Sequence, residues 1–146
     1  MKKLISFLAV LVFNTMALLP STGEGQAKPV PAFYGKSYAV IVGIGRYPSE
    51  KWPNLAYARK DAEGMASVLR GQGFEIITLY DRKATREAII STFEDYLAPR
   101  LRKNDRVLVF FSGHGDTQTL GGRDYGYLVP YNAGKTYGSL ISMETL

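Results

Sequence analysis

The residues best suited to chemistry are Ser112-Gly113-His114-Gly115-Asp116. His114 is the only histidine among 146 residues, and imidazole is the side chain that most readily moves a proton near neutral pH. A glycine on each side lets the main chain bend tightly and brings peptide N–H groups up against a ligand. Ser112 lies only two residues from His114, and nothing supplies a separate elbow that would present it as a nucleophile. The chain contains no cysteine, which excludes a disulfide framework, a thiolate metal site and a thiol nucleophile within these residues. One histidine without cysteine also cannot build the usual nitrogen-rich zinc shell. A calcium site would have to use Asp116, Asp124 and backbone oxygens, and their spacing matches no calcium loop. No cofactor and no metal ligand set is therefore expected.

His114 is placed by the element before it. Residues 107–111 (Val-Leu-Val-Phe-Phe) form the most apolar run after residue 36, and predict a central strand running directly into the glycine-histidine segment. Residues 38–44 (Tyr-Ala-Val-Ile-Val-Gly-Ile) are a β-branched run too short for a buried helix, and predict a strand covered on both faces. Leu55, Ala58, Ala62, Met65 and Leu69 recur at spacings of three and four, which predicts a helix over 55–70 with Asn54 as its cap and Gly71 and Gly73 at its end. Residues 74–80 predict a strand nearer the sheet edge. Thr85 can cap a second helix whose apolar positions are Ile89, Phe93, Tyr96 and Leu97, ending at Pro99.

Strand, helix, strand, helix, strand is the pattern of an α/β domain: an open sheet of mainly parallel strands flanked by helices. Ligands bind such sheets beyond the carboxyl ends of the strands, so loops at 45–53 and 112–116 would face one site. Farther on, Gly121 and Gly122 predict a loop, 127–130 a short extended piece, and Ser142 the start of a third helix. Three strands make a small sheet, and the last would keep an unpaired edge. The domain thus reads as incomplete at its C-terminus.

Hydrophobic residues make up 46% of the chain and charged residues 21%, a globular profile. Lys and Arg outnumber Asp and Glu by 18 to 13, but the signs are interspersed without a basic run, which argues against a nucleic-acid partner. Two lysines, an apolar stretch over 4–19 and small residues up to Ala27 have the layout of a secretory signal peptide. The expected organisation is a signal peptide over 1–27, an extended linker over 28–35 containing Pro29 and Pro31, and one domain over 36–146. After cleavage the product would be exported, with no stable membrane span.

Several segments together carry a family resemblance: the strand from Tyr38 to Gly45, Leu55 with Ala58-Arg59-Lys60-Asp61-Ala62, Gly73-Phe74, and the run from Asp105 to Gly115. The chain from about residue 38 onward resembles the caspase-like cysteine peptidases, especially bacterial metacaspase-like members. That resemblance implies a caspase-like sheet and cysteine-type endopeptidase activity on protein or peptide substrates. It makes His114 the catalytic histidine and Gly115 a donor to the oxyanion. Asp61 and Ser112 correspond to positions lining a metacaspase S1 pocket, which implies Arg or Lys at P1. Arg46 resembles the basic S1 lining of Asp-specific caspases, which would imply the opposite preference. Relatives of the metacaspase type are often calcium-dependent, and many carry Asp where this chain has Asn132. The family's nucleophile belongs to an Asp-Ala-Cys-like motif on the next strand, which these residues do not include. The chain is therefore expected to be a truncated, inactive form, or a non-catalytic exported module that binds a protein partner. A nucleotide site at Gly43-Ile44-Gly45 is the weaker alternative, because Pro48 replaces the third glycine and the helix starts too far away.

Overall fold

The computed structural model describes residues 6–10 and 33–145; the other residues of the expected signal peptide and linker lie outside the described residues. Among the described residues a six-stranded sheet has the order β3-β2-β4-β5-β6, with β1 also paired to β4. Its elements are β1 (Ser6–Val10), β2 (Ser37–Gly43), α1 (Ala58–Gly71), β3 (Glu75–Tyr80), α2 (Arg86–Ser91), β4 (Arg106–Leu120), β5 (Arg123–Leu128) and β6 (Ile141–Ser142). No helix among the described residues is long and apolar enough to cross a membrane.

β2 pairs in parallel with β3 on one side and β4 on the other. Its side chains alternate between two cores, which explains its unbroken apolar sequence. Ala39 and Ile41 meet α1 through Ala62, Ala66 and Leu69. Tyr38, Val40 and Val42 meet Ile89 of α2 and Leu97 of the wider π-type turn over Thr92–Leu97 that follows it. The two crossover helices thus cover opposite faces. α1 approaches closely because its inner face is alanine and its neighbour is glycine: a Cβ on Gly43 would lie 2.5 Å from the Ala62 Cβ.

The α/β architecture agrees with the sequence reading, and the parallel part of the sheet is β3-β2-β4. The remaining pairings are antiparallel. β4 does not stop at Phe111 but continues through Ser112, His114 and Gly115 to Leu120. It exchanges partners on the way, lying beside β2 up to Ser112 and beside β5 from Gly115. The expected 112–116 loop is therefore strand. Gly121 and Gly122, with φ of 58° and 78°, form the tight turn into β5, as a two-residue hairpin requires. β1, inside the expected signal peptide, runs antiparallel along residues 110–114. It occupies part of the edge that a three-stranded sheet leaves open.

Of three local expectations, two differ from the structure and one holds. α1 begins at Ala58 rather than Leu55, because the Asn54 side chain accepts from the Tyr47 N–H (3.0 Å) instead of capping the helix. Thr85 does cap α2, accepting from the Ala88 N–H at 3.2 Å. Ser142 opens no helix: it lies in β6 opposite Tyr127, drawn there by the burial of Ile141 against Leu128.

Candidate active site

His114 sits where β4 changes partners, and only 4% of its surface is exposed. Both of its backbone polar groups are satisfied by distant residues. Its N–H donates to the Tyr47 hydroxyl (3.0 Å), and its carbonyl accepts from the Val129 N–H (3.0 Å). The Tyr47 hydroxyl in turn donates to the Val129 carbonyl at 3.2 Å. Burial pushes the Tyr47 phenol well above its ordinary pKa, with the Asp81 charge adding to that and the His114 N–H opposing it. The phenol therefore remains a donor at any physiological pH.

The imidazole is oriented by the loop between β2 and α1. Its Nε2 lies 2.6 Å from the Pro53 carbonyl oxygen. A carbonyl can only accept, so Nε2 carries the proton in this contact and Nδ1 is left with the lone pair. Two aromatic rings flank the imidazole, Tyr47 at 5.0 Å and Trp52 at 5.7 Å between centroids. The Lys51 ammonium sits 4.4 Å from the centre of the Trp52 ring and 3.9 Å from the Asp116 carboxylate. The indole N–H of Trp52 is buried without a hydrogen-bond partner among the described residues.

This loop is itself pinned. The Leu55 N–H donates to the Gly45 carbonyl at 2.8 Å, and Asn54 closes the turn onto Tyr47. Asp81, immediately after β3, accepts from the N–H groups of Gly45 (2.9 Å) and Arg46 (3.1 Å). Its second oxygen pairs with Arg59 of α1 at 3.0 Å. Gly113 is required beside this assembly, since a Cβ there would lie 2.7 Å from the Tyr47 hydroxyl and 2.9 Å from the Phe111 ring.

Ser112, His114 and Gly115 follow one another on β4. Ser112 is buried, and its carbonyl accepts from the Ile44 N–H. Gly115 is half-buried opposite Leu128. Asp61 is exposed in the first turn of α1. Arg46 is exposed too, and its backbone N–H is held by Asp81. Asp116 accepts from the Thr117 N–H and Asp124 from the Thr119 hydroxyl; among the described residues no group of three or more His, Asp or Glu is arranged to hold a metal ion. Sequence reasoning missed Tyr47, Pro53 and Asp81. The lone tryptophan beside a proline inside a turn-rich loop was the available signal for the loop; nothing local marked the other two.

Chemically, the arrangement is a buried imidazole whose Nε2–H is tied to a carbonyl, which leaves the ring's lone pair on Nδ1. A family model described as a caspase domain matches residues 36–145. No curated protein matches the chain.

Proposed function

Because the chain belongs to the caspase-domain family, we propose that His114 is the proton-transfer residue of a cysteine-type endopeptidase mechanism acting on protein or peptide substrates. The observation that carries this reading is the Nε2 to Pro53 contact at 2.6 Å, which leaves Nδ1 as the base. A thiol brought to Nδ1 would give up its proton there, and the thiolate would attack the scissile carbonyl carbon. Collapse of the tetrahedral intermediate breaks the C–N bond while the imidazolium returns that proton to the leaving amine. Water then cleaves the thioester with the same base. Gly115 would offer its N–H to the oxyanion.

The chain has no cysteine, so it is expected to cleave no peptide bond by itself. Fluorogenic peptides with Arg, Lys or Asp at P1 test this directly, and turnover that disappears in His114→Ala would refute it. For recognition, Asp61 and Ser112 support a P1 Arg or Lys, whereas Arg46 would favour Asp. Titrating peptides of each kind against the fluorescence of the single tryptophan, Trp52, separates the two; saturable binding of Asp-ended peptides alone would transfer the role to Arg46. The chain is exported after cleavage behind Ala27 in this proposal, and N-terminal sequencing of exported protein beginning at Met1 would remove that part. The absence of any cysteine favours a second reading, a non-catalytic exported module that binds a protein partner through an open sheet edge; monomeric behaviour without edge-to-edge association in sizing experiments would count against it.

A further inference from the structure

We propose that Asp81 is a positioning residue for His114, holding the loop that delivers the Pro53 carbonyl and the Tyr47 hydroxyl to the imidazole-bearing strand. The proposal rests on the reading of His114 as the proton-transfer group, but the geometry is independent of any substrate. Asp81 is the one non-glycine residue among the described residues with positive φ, at 45°. Such a backbone is uncommon outside glycine and persists only where surrounding contacts hold it. Here the contacts are the side chain's own. One carboxylate oxygen receives two successive N–H groups, from Gly45 and Arg46. The other oxygen receives the Arg59 guanidinium. Three elements are thereby tied together: the end of β3, the start of the loop after β2, and the first turn of α1.

From that anchor the path to the imidazole is short. Arg46 precedes Tyr47, whose hydroxyl bonds the His114 N–H, and the loop's far end supplies Pro53. The Asp81 backbone is fixed from the other side, since its carbonyl accepts from Ala84, whose own carbonyl accepts from Tyr131. A carboxylate accepting from charged and main-chain donors makes stronger hydrogen bonds than a neutral group would. Losing it frees the loop's first residues and loosens what they orient. Asp105 provides an internal comparison. It makes the same kind of clamp, accepting from the N–H groups of Lys36 (2.7 Å) and Arg102 (2.9 Å). That clamp, however, lies at the start of β4, at the opposite end of the sheet from His114.

The test is spectroscopic, on the full chain, with the single histidine as reporter. Asp81→Gly removes the carboxylate while relieving the positive φ, so the variant keeps its backbone conformation. Hydrogen exchange of the His114 Nε2–H is expected to be about tenfold faster in Asp81→Gly, reflecting easier local opening. Asp105→Ala is expected to leave that exchange within about twofold of the parent, although it loses a similar clamp. Asp81→Asn retains an oxygen for both N–H groups and is expected to restore slow exchange. Unchanged exchange in Asp81→Gly overturns the proposal. So does equal acceleration in Asp105→Ala, which would make the effect global, and so does failure of Asp81→Asn to restore it. Absence of saturable peptide binding would count against the peptidase reading and leave this result standing.

Discussion

Replacing Tyr47 by Phe removes a single oxygen and deprives two backbone groups of a partner: the His114 N–H, 3.0 Å away, and the Val129 carbonyl, 3.2 Å away. Both sit in the buried region around β4. An orphaned buried donor costs about 1–3 kcal/mol, and removing the hydroxyl's own desolvation offsets part of that. A net loss of about 2 kcal/mol is expected, equivalent to a fall of about 8 °C in Tm for a domain of this size. Urea unfolding followed by Trp52 fluorescence measures it. Gly113→Ala then shows whether the hydroxyl is the source. A Cβ at Gly113 meets the Tyr47 hydroxyl at 2.7 Å and the Phe111 ring at 2.9 Å, an overpacking worth about 1–3 kcal/mol. In the Tyr47→Phe background the first of these clashes is absent, so Gly113→Ala should cost less there than in the parent. A Tyr47→Phe loss below about 0.5 kcal/mol, or strict additivity of the two changes, would refute the reasoning that this hydroxyl locks the strand.

The same phenol predicts an alkaline signature. Its folded pKa lies above the ordinary value of 10.0, so its contribution is fully present below pH 10 and is lost as pH rises toward the folded value. The slope is about 1.4 kcal/mol per pH unit, because the unfolded chain releases a proton that the folded chain keeps. Tyr47→Phe should flatten the fall in denaturation free energy above pH 10, and a fall as steep as the parent's would count against it. At the acid end, the N–H of Lys36 first and that of Arg102 second hold the Asp105 carboxyl below its ordinary pKa. Its stabilisation is present above the ordinary carboxylate range and lost as pH falls through the lowered value; Asp105→Asn should reduce the steepness of acid unfolding, and an unchanged acid limb would refute this. Two glycines should respond oppositely to alanine. Gly43→Ala drives a Cβ into Ala62 and should destabilise by about 1–3 kcal/mol. Gly64→Ala, inside α1 with nothing within 4 Å, should stabilise by about 0.5–1 kcal/mol. Paired urea titrations give both values, and the same sign for the two would contradict the helix packing described for α1.

Much of the fold was legible because it was local. The β-branched run that became β2 reads as a doubly covered strand by its length and lack of polar interruption, and both cores confirm why. The α1 alanines recur at helical spacing, and Thr85 announces α2 through the hydroxyl that caps it. Asn54 misled as a cap because its amide has a second use, closing the loop onto Tyr47. β4 was cut short for a related reason: glycines on both sides of His114 read as a loop, whereas in the sheet they let one strand pass between two partners. The site was legible only in its centre. His114 stands out by type and neighbours, while Asp61 and Arg46, whose roles followed from resemblance, occupy exposed positions.

By itself, then, the sequence determined the α/β alternation, the two-faced burial of the central strand, the uniqueness of the imidazole and the absence of any thiol. Each of these is a property of composition or of short-range periodicity. The tertiary structure alone decided which imidazole nitrogen is tied to a carbonyl and which keeps the lone pair. That choice depends on a carbonyl 61 residues away in sequence, and the strand beneath it on a hydroxyl 67 residues away. Asp81 is similarly separated from the loop it holds, by 36 residues at Gly45. Hydrogen bonds of this range leave no periodic trace in the chain, because they are set by how the sheet stacks its edge loops rather than by the residues adjoining each partner.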